Sequence, residues 1–208
     1  MKKCIIIGAG EFNGFCADFT ADFIIAADGG YDALTRYGFK ADLLVGDFDS
    51  INCNKNIPDN IEVITFPKAK DSSDLELAVD EAIKRGFDCF YIYGALGKRL
   101  DHTLASIAVL VALSQKKLTG YLIGENETIT AVTDSKLTLS ACESGVISVF
   151  AAREKAEGVN LKGLKYPLDN AVLTHYSTHG LSNEFLGEEA IIEVQNGTLI
   201  VVTVQGCL

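Results

Sequence analysis

Residues 42–50 read DLLVGDFDS: a short apolar run that ends in two carboxylates, Asp47 and Asp49, one residue apart. If the chain were still extended there, both side chains would project to the same side and repel each other. The run therefore reads as a strand that ends at this point, against something cationic or in a turn into water. Runs of the same shape recur at CIIIGAG (4–10), FIIAADGG (23–30), EVITFP (62–67), CFYIYGA (89–95) and GYLIGE (120–125). They are apolar at nearly every position and alternate with helical patterns, which predicts a parallel sheet, buried on both faces and covered by crossover helices.

Two helices are well marked. In SSDLELAVDEAIKRGF (72–87), Leu75, Val79, Ala82 and Ile83 recur at helical spacing, Ser73 and Glu76 form a capping box, and Gly86 closes the segment. In LDHTLASIAVLVALSQKK (100–117), Asp101 stands where an N-cap would, and the apolar body predicts a well-buried helix. Beyond residue 125 the helical period gives way to ETITAVT, KLTLSA, GVISVFA, AVLTHY and AIIEVQNGTLIVVTV. The last of these predicts a hairpin with Asn196-Gly197 as a type I′ turn. The expected fold is thus α/β: an N-terminal parallel-sheet α/β domain over 1–125, then a small antiparallel β-sandwich or barrel domain over 126–208.

With 208 residues, 48% of them apolar, and a mean hydropathy of +0.21, the chain can bury a substantial core. A net charge of -10 and the lack of any Lys/Arg run argue against a nucleic-acid surface. The six cysteines form no CxxC pair and no Cys/His cluster, so neither zinc nor a redox dithiol is suggested. No apolar stretch is long enough to span a bilayer and the start is not signal-like, so the expectation is a protein of the reducing cytoplasm with no membrane partner.

Four segments carry chemistry. GAGEFNG (8–14) follows a strand, but the third glycine of a dinucleotide fingerprint falls at Asn13, and no acid follows until Asp28. A tight loop, or one that merely admits a phosphate, fits it better. In ADGGYDAL, Asp28 ends a strand and Gly29-Gly30 open a helix, where backbone N–H groups can meet an anion. Asp47, Asp49 and KDSSD (70–74) lie, on the parallel-sheet reading, beyond strand C-termini with the other loops, the edge where open α/β sheets bind ligands. Asp74 by itself suits a helix dipole, and Asp71 an Asx turn. Three acids on one edge without His or Cys suit Mg²⁺. GALGKRLDH (94–102) brings Lys98, Arg99 and Asp101 to a loop before a helix. Arg can grip phosphate there and an acid can orient a hydroxyl, or Asp101 can simply cap the helix beside a structural His102.

Taken together, ADGG, GDFDS, KDSSD, GALGKRLDH, GLKYPL (163–168) and GLSNEF (180–185) resemble, in order and spacing, the thiamine pyrophosphokinase family, over nearly the whole chain. The resemblance implies an α/β nucleotide-binding domain over 1–125 and a thiamine-binding β-sandwich domain over 126–208, in an ATP-dependent diphosphotransferase that makes thiamine diphosphate and AMP as a homodimer with active sites at or near the dimer interface. It implies Mg²⁺ held by Asp47, Asp49 and Asp74, and phosphates near Lys70 and Arg99. Asp28, Gly29, Gly30 and Ser73 then fall on the nucleotide side, Asp101 faces the substrate, and Ser182, Asn183 and Tyr166 belong to the thiamine pocket. Ser73 replaces an expected Thr with the hydroxyl kept, and Tyr166 stands where animal relatives carry Trp. Three alternatives stay open: a DxD phosphatase, although KDSSD lacks the glycine its acid pair needs, a pyrophosphokinase acting on a pterin alcohol, and a non-catalytic nucleotide or thiamine sensor.

Overall fold

The computed structural model describes residues 1–15, 20–47, 57–67, 71–97 and 99–205. The chain divides into two compact units, one of residues 1–106 with 122–125, the other of 107–121 with 126–208.

In the first unit, strands β1 (Lys3–Ile7), β2 (Phe23–Ala27), β3 (Leu43–Gly46), β4 (Glu62–Thr65) and β5 (Cys89–Tyr93) pair in parallel in the order β5-β1-β2-β3-β4. Helix α1 (Gly30–Arg36) packs on β1 and β2, and α2 (Asp74–Lys84) on β1, β2 and β3. One core gathers Ile5, Ile7, Ala26, Leu44, Tyr31 and Leu34, while α2 contributes buried Ala78, Val79 and Ala82. Each fully buried Ile or Leu in such a core contributes about 1.5–3 kcal/mol. The capping reading of α2 holds at both ends. Ser73 Oγ accepts from Glu76 N at 3.2 Å, and at Gly86 (φ 81°) the N–H groups of Gly86 and Phe87 close onto the carbonyls of Ile83 and Ala82.

Acids also mark the opposite edge of this sheet. Lys3 N donates to Asp22 Oδ2 (2.8 Å), Ile24 N to Asp42 Oδ2 (2.8 Å) and Lys2 N to Asp88 Oδ1 (2.7 Å). An aspartate just before one strand thus satisfies a backbone donor at the start of its neighbour, which the ladder alone leaves open.

Helix α3 (Leu100–Gln115) starts two residues earlier than an Asp101 cap would set it, so Asp101 lies in the first turn rather than at the cap. It is also less buried than its composition predicts: Leu110 and Leu113 are inside, but Leu100 and Leu104 are 71% and 59% exposed. No helix among the described residues is long and apolar enough to cross a membrane. Cys4, Cys89 and Cys142 are buried thiols, and burial pushes Cys4 up to about 12, as expected of small core hydrophobes.

In the second unit, β7 (Glu127–Thr133), β9 (Val146–Ala151), β12 (Asn183–Glu184) and β14 (Thr198–Val204) pair antiparallel in the order β12-β9-β14-β7. A separate antiparallel sheet holds β8 (Lys136–Leu139), β10 (Lys155–Lys162), β11 (Leu168–Thr174) and β13 (Ala190–Glu193), ordered β11-β10-β13-β8. Ile147, Val149, Leu199 and Val201 of the one meet Leu139, Val159, Leu161 and Ile192 of the other in a shared core, the expected sandwich. β6 (Thr119–Ile123) follows α3.

The predicted hairpin at Asn196-Gly197 does not form. β13 and β14 belong to different sheets, and only Gly197 has a positive φ (116°), so the turn is not type I′. Instead Gly197 N donates to Asp134 Oδ1 (2.8 Å) and Asn196 Nδ2 to Glu157 Oε2 (2.9 Å), which ties the crossover to other strands. Long-range pairing of β14 along β7 and β9 overrode the local turn signal.

Candidate active site

The four expected loops do leave the C-terminal ends of parallel strands. Asp28 follows β2, Asp47 follows β3, the segment leading to Ser73 and Asp74 follows β4, and the loop carrying Arg99 follows β5. Asp49 and Lys70, and with them Lys98, lie outside the described residues. The strand order reverses between β1 and β5, since β2, β3 and β4 are laid down on one side of β1 and β5 on the other. Open α/β sheets place ligands at such a reversal.

At the reversal itself the glycines serve the backbone. Gly8 N donates to Tyr93 O and Gly10 N to Gly94 O, both at 2.8 Å, and a Cβ at Gly8 or Gly10 would stand 2.6 or 2.5 Å from the Gly94 carbonyl oxygen. Phe12, nearly buried, then meets Phe15, Tyr37 and Tyr93 edge-on at centroid distances of 5.1–5.8 Å. GAGEFNG is thus a tight, anchored loop, as the spacing against a dinucleotide fingerprint suggested. Gly30 answers the same kind of demand, because a side chain there would collide with the Ile7 carbonyl.

Asp28 stands out among the strand-end acids in its backbone. It takes φ 46°, a left-handed conformation uncommon outside glycine, and its N–H donates to Val45 O. Its Oδ1 is buried without a hydrogen-bond partner among the described residues. Leaving a charged oxygen buried and unmatched costs several kcal/mol in general, so its persistence points to a cation or donor that arrives with the ligand. Asp47 and Asp74 are half-buried, Asp47 directly after β3 and Asp74 at the start of α2. Among the described residues no three acidic, His or Cys side chains converge as a ready-made cage. Mg²⁺ does not require one, since it binds through one or two carboxylates and completes its shell with water and phosphate oxygens. The hard-oxygen donors and the unmatched Asp28 oxygen fit such an ion.

Arg99 and Asp101 form a two-pronged pair, Nη2 to Oδ2 at 2.6 Å and Nε to Oδ1 at 3.2 Å, and His102 N donates to Asp101 Oδ1 at 3.0 Å. The Arg99 guanidinium holds the Asp101 carboxyl down at about 2. Both side chains are two-thirds exposed, so the pair is geometry on a wet surface rather than a source of stability.

In the second unit, the other two motifs meet. GLKYPL forms the turn between β10 and β11, and GLSNEF runs into β12. Leu164 and Phe185 form an antiparallel bridge, Lys165 N donates to Glu184 O, and Lys165 Nζ reaches both Glu184 oxygens at 2.8 and 3.0 Å. Tyr166 is 56% exposed and Asn183 only 4%. Ser182 is exposed at φ 57°, with its N–H on Ser148 Oγ. Sequence reading did not single out the Lys165–Glu184 pair, although both residues sit inside the quoted motifs.

The strand ends thus carry Asp28, Asp47 and Asp74 and the Arg99 loop on one edge of the sheet. The family model for "Thiamin pyrophosphokinase, catalytic domain" matches residues 19–122, and that for "Thiamin pyrophosphokinase, vitamin B1 binding domain" matches residues 134–199. Thiamine pyrophosphokinase of Bacillus subtilis is 29% identical over 97% of this chain and 98% of its own. The crystal structure of the B. subtilis protein superposes with a TM-score of 0.85 at 26% identity, covering 98% of this chain and 99% of that one. A thiamin pyrophosphokinase family protein from Enterococcus faecalis matches with a TM-score of 0.85 at 25% identity, over 98% and 99%. The chain belongs to the thiamin pyrophosphokinase family. Its activity class is accordingly thiamine diphosphokinase, a kinase among the transferases.

Proposed function

We propose that the protein moves the diphosphate of ATP, bound with Mg²⁺, onto the hydroxyl of thiamine, releasing AMP. The observation that carries this reading is the gathering of Asp28, Asp47 and Asp74 with Arg99 on one strand edge of a chain whose other unit matches the vitamin B1 binding domain. Asp47, Asp49 and Asp74 would hold the ion, with Asp28 beside them. Lys70 and Arg99 would meet phosphate oxygens, and Gly29, Gly30 and Ser73 would line the nucleotide side. Once bound, Mg²⁺ would neutralise charge on the phosphate oxygens of the transferred group.

The reaction asks for little covalent work from the protein. The thiamine hydroxyl oxygen attacks the β-phosphorus and loses its proton to solvent, the bond from that phosphorus to the bridging oxygen breaks, and AMP leaves with the oxygen. Arg99, satisfied by Asp101 in the free protein, can exchange that partner for phosphate because both are exposed. While the pair is intact Asp101 is a poor base, so its place is to orient the hydroxyl, and it regains basicity only when Arg99 lets go. Thiamine is a cation, which suits a protein of net charge -10.

The same reading takes the protein to be a homodimer of the reducing cytoplasm. The exposed Leu100 and Leu104, one turn apart on α3, support the first, and the buried thiols support the second.

The test is AMP formation from ATP and Mg²⁺ by the purified protein, with and without thiamine, and with the product identified by mass. Thiamine-dependent AMP with a thiamine diphosphate product is expected. AMP formed only with a pterin alcohol would move the acceptor, inorganic phosphate without AMP would indicate a phosphatase, and binding of both ligands without turnover would leave a sensor.

A further inference from the structure

Asn183 and Tyr166 belong to the proposed thiamine pocket, yet they face solvent very differently. Tyr166 is exposed, while Asn183 is buried and its amide is already engaged. Its Oδ1 accepts from Tyr166 N and from Glu184 N, each at 2.9 Å, and its Nδ2 donates to Tyr166 O at 2.7 Å. Both lone pairs of the oxygen are taken, and one of the two N–H bonds as well.

The register explains why a side chain does this. The bridge Leu164↔Phe185 and the bond from Lys165 N to Glu184 O set an antiparallel ladder in which Tyr166 falls opposite Asn183. The Asn183 backbone, however, is committed to β9, where it pairs with Ile147, and Ser182 then turns away at φ 57°. The Asn183 amide supplies one N–H and one C=O in place of the missing backbone and carries the ladder one residue further.

We infer that Asn183 is a positioning residue: it grips both backbone polar groups of Tyr166 and so fixes the aromatic ring as a wall for the flat, cationic thiamine, without touching the ligand itself. This rests on the reading of the GLKYPL turn as part of the thiamine site. A shorter hydrophobe at 183 would leave two Tyr166 groups to find water, and the turn would lose its preset shape.

The experiment combines steady-state kinetics with hydrogen exchange of the peptide spanning 163–168, in the full chain and in Asn183→Ala, Tyr166→Ala and the double variant. Asn183→Asp serves as a milder second probe that keeps the accepting oxygen and loses the donor to Tyr166 O. The expected result is faster exchange in the turn for Asn183→Ala, with the KM for thiamine raised about tenfold and that for ATP changed by less than about twofold. Asn183→Asp should fall between. Tyr166→Ala should raise the thiamine KM with turn exchange unchanged, and should add little once Asn183 is gone, because both act through the same ring. A raised thiamine KM with turn exchange unchanged would overturn the inference, since Asn183 would then contact thiamine directly and the pocket reading would stand. Faster exchange with no change in thiamine KM in any variant would overturn both, because the turn would be held as described but would not face thiamine.

Discussion

The two edges of the parallel sheet carry the same residue type to opposite ends. At the edge where strands begin, Asp22, Asp42 and Asp88 each spend a carboxylate on a neighbouring strand's N–H, so their charge is matched within the fold. At the edge where strands end, Asp28 keeps a buried oxygen without a partner among the described residues and sits in a strained conformation. A matched acid stabilises, whereas a buried oxygen left as that of Asp28 is makes sense when a cation or donor can reach it. The contrast between the edges therefore rests on Asp28, whose buried oxygen differs in its hydrogen bonding, not in its chemical identity, from those of Asp22, Asp42 and Asp88.

The comparison breaks most readily at Asp47 and Asp49. Replacing either with Ala should cut thiamine-dependent AMP formation by roughly 10²–10³-fold, the scale seen when a charge-stabilising group is lost, while the unfolding midpoint stays within about 2 °C. Near-normal turnover in the presence of Mg²⁺ would remove the functional edge altogether. Asp28→Asn sharpens the contrast, because it keeps the shape and tolerates the left-handed backbone but deletes the buried charge. Activity should fall by about tenfold or more while stability in denaturant holds or rises; a clear loss of stability would place Asp28 with the structural acids.

The opposite edge should respond in the opposite way. Asp42→Ala removes the acceptor of Ile24 N and should cost about 1–2 kcal/mol in urea unfolding, with turnover per folded molecule unchanged. The smallest effect concerns pH. Asp101, held at about 2 against an ordinary 3.8, contributes its interaction fully above 3.8 and loses it as pH falls toward 2. Arg99→Gln should return the Asp101 carboxyl toward 3.8 in a carbon-13 NMR titration, with little change in stability because both groups are exposed.

Much of this was legible before any coordinates. Runs such as FIIAADGG place Asp28 at a strand end because apolar residues at every position admit few other readings, and Ser73 and Gly86 bound α2 because capping is a local property. The α3 and Asn196-Gly197 readings went astray for one reason. Both treated a local pattern as sufficient where burial and pairing are set by distant segments: α3 leaves Leu100 and Leu104 outside, and β14 prefers β7 and β9 to its neighbour in sequence. For Asn183, expected in the thiamine pocket, only the hydrogen bonds reveal that its amide is already occupied by the Tyr166 backbone.

By itself, then, the sequence determined the order of strands and helices, the strand-end position of the acids and the motifs that mark the family, because each depends on a few adjacent residues. Tertiary structure alone decided which carboxylates are matched, which sheet each C-terminal strand joins, and that a buried amide completes the turn beneath Tyr166. Those depend on partners up to 86 residues away, as for Lys2 and Asp88, and no local rule carries that information.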